Sequence, residues 1–197
     1  MATTLKRREV MRLLALTIGG SALLPEFSVG KIPDHSRKIF IPAGEGKKAK
    51  MGVNDIVFKL DKSQTAGNLG SSEIFLYPGI LGSIPHYHNT FDEVCVVLEG
   101  AVTIKVENDI DTVSAGGWHL RPRGSVHSFW NSGTVGTRFI ELYIPAGHEA
   151  FMRHLTDFFI DDKIPTHEQV TELGNRYDTH FKWDLLPGIL KKYNLHL

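Results

Sequence analysis

The chain has 197 residues, 42% of them hydrophobic and 22% charged, with 22 basic residues against 22 acidic ones. That length allows one domain with a sizeable core and short appendages, and the composition is that of an ordinary globular protein rather than a disordered one. Balanced charge, with no dense Lys/Arg run beyond the N-terminus, removes the electrostatic basis for gripping a phosphate backbone, so nucleic acid is not an expected partner.

Residues 1–30 begin with a basic cluster (Lys6, Arg7, Arg8, Arg12) ahead of an apolar run from Leu13 to Leu24. The run is too short to span a bilayer comfortably. An amphipathic first helix is one reading, and an export signal is the favoured one. KRREVMR resembles the twin-arginine pattern of two arginines, any residue, two apolar residues and a base. Ser28-Val29-Gly30 supplies small residues for cleavage, and the remainder would be mildly acidic. The resemblance implies export machinery as a partner and a periplasmic or extracellular destination. It also implies passage in the folded state, with any metal loaded in the cytoplasm beforehand.

Residues 31–50 mix Pro, Gly and Lys with little periodicity and read as an arm or linker. From 51 to 146 the pattern changes. Short runs rich in Val, Ile, Phe and Tyr (VNDIVFKL, SSEIFLYPG, EVCVVLEG, AVTIKVEN, TRFIELYI) alternate with turn residues, which predicts an antiparallel sandwich or barrel. Glu99-Gly100, between two Val-rich runs, reads as a tight turn joining a hairpin. Residues 147–197 read as a helical tail. Phe151, Leu155, Phe158 and Phe159 recur at helical spacing, and Thr166 with Gln169 three later makes a capping box.

The chemistry is concentrated in SIPHYHNTFDEVCVVLEG, residues 83–100. Alternate strand residues share a face, so His86 and His88 project together, and a turn at Asn89-Thr90 brings Glu93 onto the adjacent strand. Glu93, Cys95 and Val97 then share one face, and Val94, Val96 and Leu98 form an apolar opposite face needing cover from a second sheet, the tail or another subunit, which makes a homodimer one expectation. Cys95 is the chain's single cysteine, so no intrachain disulfide can form. It reads as a small buried residue, with a catalytic thiol as the alternative. Two imidazoles and a carboxylate are three quarters of a site for a borderline divalent metal. The fourth candidate is His127, which follows the turn signal Pro122-Arg123-Gly124 in GGWHLRPRGSVHSFWN.

These two stretches resemble the paired motifs of the cupin superfamily. His86-Tyr87-His88, Glu93 and Gly100 match the first motif except at its opening glycine, where Ile80 stands between Gly79 and Gly82. Gly116, Pro122, Gly124, His127 and Asn131 match every fixed position of the second. The resemblance implies an all-β double-stranded β-helix, or jelly-roll barrel, holding one divalent transition metal on His86, His88, Glu93 and His127. Iron or manganese is favoured, with nickel, copper or zinc as alternatives. The tail is similar to that of small quercetin-dioxygenase-like cupins. Phe129, two residues after His127, should line the substrate site, with Phe91 at its mouth. Trp118 and Trp130 read as core, and the remaining seven histidines (His35, His119, His148, His154, His167, His180, His196) as surface or packing residues.

Three functions fit this reading. The favoured one is a dioxygenase-like oxidoreductase acting on a small oxygenated organic molecule, with Glu93 as the catalytic base. The others are a non-redox metal-dependent isomerase or decarboxylase, and a metal-containing binding protein without catalysis.

Overall fold

Strand runs and turn residues sort as the alternation predicts. The structure is a computed structural model that describes residues 38–160 and 163–197. The export-signal reading of residues 1–30, and His35, lie outside them. Ten strands come first: β1 (Lys47–Met51), β2 (Asn54–Leu60), β3 (Gly70–Leu76), β4 (His86–Tyr87), β5 (Asp92–Glu99), β6 (Ala101–Val106), β7 (Asp109–Ser114), β8 (Trp118–Arg121), β9 (His127–Trp130) and β10 (Thr137–Ile144). Helices α1 (His148–Asp157) and α2 (His167–Arg176) follow, then strand β11 (His180–Phe181) and helix α3 (Leu186–Tyr193). None of the described helices is long and apolar enough to cross a membrane.

The strands form two antiparallel sheets. One has six strands in the order β1-β2-β3-β10-β5-β8, and the other has five in the order β11-β4-β9-β6-β7. Their inner faces meet in one core in which Ile56, Ile74, Val97, Val102, Ile104 and Phe139 are buried, and Phe151, Met152 and Leu173 from α1 and α2 extend it. Along β5, Glu93, Cys95 and Val97 are buried while Val94, Val96 and Leu98 are only partly so, as the alternation requires. The Cys95 thiol is pushed up by burial, in keeping with a packing residue.

Four local expectations need correction. Glu99-Gly100 does not close a hairpin, because β5 and β6 lie in different sheets. Gly100 instead turns the chain from one sheet to the other at φ 73°, with the Gly136 carbonyl so near that a Cβ would sit 2.7 Å from it. The arm is not structureless to residue 50. Lys47 begins an edge strand paired to β2, and its Lys-rich, mostly exposed sequence carries no alternation to read. Trp118 is not core: it is 69% exposed on the edge strand β8, beside Leu120 at 56%. Finally, the tail is not purely helical. Residues His180 and Phe181 pair with Tyr87 and His86, adding a fifth strand beside the His-x-His segment. The capping box is present as expected: the Thr166 hydroxyl accepts from the Gln169 N–H, and the Gln169 side chain accepts from the Thr166 N–H.

Candidate metal centre and its cavity

Three short-range devices aim the imidazoles. His86 is directly opposite His127 in the β4–β9 pairing, which puts the two rings 4.4 Å apart. The Gly124 N–H donates to the His88 carbonyl, tying the turn before His127 to the end of the His-x-His segment. Glu93 reaches the same point from β5 in the facing sheet. The turn at Asn89-Thr90 therefore carries the chain between sheets, and does not bring Glu93 onto a neighbouring strand of the same sheet. The carboxylate and the imidazoles meet across the barrel interior.

Each imidazole is pinned at its far nitrogen. Nδ1 of His86 bonds the Ile84 carbonyl at 2.7 Å, Nδ1 of His88 the Asp178 carbonyl at 2.8 Å, and Nδ1 of His127 the Ser125 carbonyl at 3.0 Å. A carbonyl oxygen can only accept, so all three hydrogens sit on Nδ1 and all three Nε2 atoms carry free lone pairs. Burial also lowers the proton affinity of His86 and His127. Burial pushes the Glu93 carboxyl up, but the Arg121 guanidinium, 3.3 Å away, outweighs it and holds Glu93 well below the usual carboxylate range.

One ligand atom from each of His86, His88, Glu93 and His127 lies within 4.8 Å of all the others, and all four side chains are buried. Nε2 of His88 and of His127 face the Glu93 carboxylate at 3.4 and 3.1 Å without a hydrogen-bond donor between them. Buried lone pairs converging on a carboxylate are costly unless a cation sits among them. Opposite ligands of a single ion bound at about 2.1 Å would be on the order of 4 Å apart, so the spread fits one divalent metal. The outward Nδ1–H bonds to carbonyls are the supports that metal-binding histidines usually have.

Around this cluster lie groups that spacing did not reveal. His148, read as a surface or packing residue, is buried at the start of α1, with Nε2 3.4 Å from Glu93 Oε1. Its ring stacks against Phe151 and lies 4.8 Å from that of Tyr143, and burial pushes it down to about 3. Arg121 is buried between two carboxylates, Glu93 and Glu141. Burial pushes the Glu141 carboxyl up to about 8, against the pull of Arg121. The two carboxylates share this one guanidinium, and burial makes Glu141 the harder of them to ionise. The only early sign of either residue was strand alternation, which puts Glu141 inward but gives no hint of a cluster.

From His86 and Glu93 a cavity of about 240 Å³ opens beneath the tail. Phe129 lines it, as expected, and Gly82 makes room for that ring: a Cβ there would sit 2.0 Å from it. Phe91 is not on the lining. Its ring stacks on His88 at 4.0 Å and beside His148, so it buttresses the cluster rather than the mouth. Of the remaining described histidines, His119 pairs with Asp111, His154 with Tyr177 and His180 with Asp178, while His167 stacks on Trp183 at the cavity's edge.

The two facing sheets and the chain crossing between them match solved folds. KdgF from Halomonas sp. superposes with a TM-score of 0.50 at 18% identity, covering 57% of this chain and 99% of its own. The fold is the cupin double-stranded β-helix. An RmlC-like cupin from Shewanella frigidimarina (TM-score 0.48, 17% identity, 58% of this chain and 96% of that one) is similar too. So is a predicted oxalate decarboxylase from Thermotoga maritima (0.49, 18%, 54% and 99%). No protein-family model matches the sequence, and no curated protein does.

Proposed function

We propose that the protein is a metal-dependent cupin enzyme of the dioxygenase-like kind, acting on a small oxygenated organic molecule. The observation that carries this reading is the meeting of three hydrogen-free Nε2 atoms and the Glu93 carboxylate, with His86 and Glu93 lining a largely apolar cavity. His86, His88, Glu93 and His127 would hold one divalent transition metal, iron or manganese for preference. Such an ion supplies Lewis acidity and, if redox-active, a route for electrons between an organic substrate and dioxygen.

The chain's own residues supply the rest. The apolar walls exclude water and confine the substrate against His86 and Glu93. His148, kept neutral by burial and 3.4 Å from Glu93, helps position that carboxylate. Glu93 is the proton acceptor. Residues 1–30 are proposed as a twin-arginine export signal, to be tested by fusing them to a reporter that only that route exports.

The test is metal analysis of the purified protein, then oxygen uptake by iron- and manganese-loaded samples over flavonols, diketones and catechols. Uptake matched by substrate loss supports the reading. Turnover without oxygen on a zinc-loaded sample would move the protein to the non-redox isomerase or decarboxylase class. No metal uptake at all would remove the site.

A further inference from the structure

The cavity has a chemical character that the metal cluster does not dictate. Its walls beyond His86 and Glu93 are mainly apolar, built from barrel residues such as Ile74, Leu81 and Phe129 and tail residues such as Phe151, Phe181 and Trp183. No Lys or Arg is among the described residues lining it. Arg121, the nearest guanidinium, is already committed to Glu93 and Glu141. A phosphate or carboxylate entering here would leave water without finding a cation on the walls to offset its lost hydration.

Two wall residues carry an unpartnered buried atom: Ser83 at Oγ, a rotatable hydroxyl, and Glu141 at Oε1, a carboxyl oxygen fixed by its ion pair. Glu141 is 2% exposed and lines the cavity; Oε2 bonds Arg121, but Oε1 has no hydrogen-bond partner. A buried polar atom left so is rare enough to call for an explanation. A hydroxyl group fits it in either protonation state, because it can donate to a carboxylate oxygen or accept from a carboxylic acid.

We propose that the cavity binds an uncharged, largely apolar molecule bearing a hydroxyl group (an alcohol, phenol or enol), with that hydroxyl on Glu141 Oε1 and the carbon skeleton against the tail's aromatic rings. This deepens the proposed function by naming the substrate class, and it rests on the same site. The walls and Glu141 do not depend on the ion, so the metal-free protein should keep the preference.

The test is calorimetric titration of metal-loaded and metal-free full-length protein with four probes: 2-naphthol, naphthalene, 2-naphthoate and glucose 6-phosphate. In the metal-free form 2-naphthol should bind roughly tenfold more tightly than naphthalene, the worth of one buried hydrogen bond. The two anions should bind more weakly still. Glu141→Leu, which leaves no hydrogen-bonding atom on this wall, should abolish the advantage of 2-naphthol over naphthalene, with the variant's cooperative thermal melt certifying its fold. Failure of 2-naphthol to bind, equal or tighter binding of an anion to the metal-free form, or an unchanged ratio in Glu141→Leu would each overturn the proposal. The four-probe ranking on the unaltered protein decides the matter if that variant does not fold. Should the protein bind 2-naphthol as described yet take up no metal, the metal reading fails and this one stands.

Discussion

The carbonyl of Asp178 holds the His88 ring by its Nδ1 hydrogen at 2.8 Å, across ninety residues of sequence. Asp178 sits at φ 54°, and its carboxylate accepts from the Asn89 and Thr90 N–H groups and the Thr90 hydroxyl. One residue of the tail thus fixes both a ligand's tautomer and the turn that follows it. Asp178→Val, which loses the carboxylate and disfavours positive φ, should weaken metal binding about 10- to 100-fold. Asp178→Asn, which tolerates that φ, should lose much less. Chelator competition with cobalt measures both, and the cobalt absorption spectrum reports the altered ligand.

Metal removal should cost stability in proportion to occupancy. At a free metal concentration 100 times Kd, binding contributes about 2.7 kcal/mol. That corresponds to a Tm higher by about 5–10 °C for a chain of this size. Scanning calorimetry with and without chelator measures the shift, and His127→Ala should abolish it.

The metal-free protein should be most stable near neutral pH. His86, His127 and His148 have depressed proton affinities through burial, so below the ordinary histidine value near 6.5 the unfolded chain binds more protons and stability falls as pH falls. Glu141 is raised from 4.5 to about 8 by burial. Its contribution is present below 4.5 and is lost as pH rises through that range toward 8. Three imidazoles outweigh one carboxyl until the unfolded chain has lost most of its histidine protons, so the optimum should lie just above 6.5. In Glu141→Gln the decline above the optimum should flatten, as urea melts across pH would register.

Gly82→Ala puts a methyl group 2.0 Å from the Phe129 ring. Overpacking of this kind costs about 1–3 kcal/mol. Phe129→Leu should recover part of that loss in the double variant, and a denaturant double-mutant cycle measures the coupling.

Much of this was legible in the sequence. Strand alternation on β5 and the two motifs brought out all four members of the cluster, because ligand spacing and turn chemistry are local. The double-stranded β-helix followed from the same motifs. What escaped depends on long-range packing. His148 opens a helix with no partner nearby in sequence, and only the docking of α1 on the barrel brings it to Glu93. Glu141 and Arg121 each look like ordinary strand charges until β10 and β8 flank β5 and both turn inward. Strand β11 is two residues long, too short for any period to declare itself. Phe91 follows His88 by three residues, and that spacing does not say on which side of an imidazole a ring will lie.

Because the tail supplies both the His88 support and the cavity's roof, the order of events during synthesis is constrained. The barrel strands leave the ribosome first, with Nδ1 of His88 still lacking the Asp178 carbonyl. Only when residues 178–181 emerge and join β4 does the ring lock. Capture of the ion is thereby tied to completion of the fold, and a nascent chain interrupted after β10 would be a barrel with a poor grip on metal.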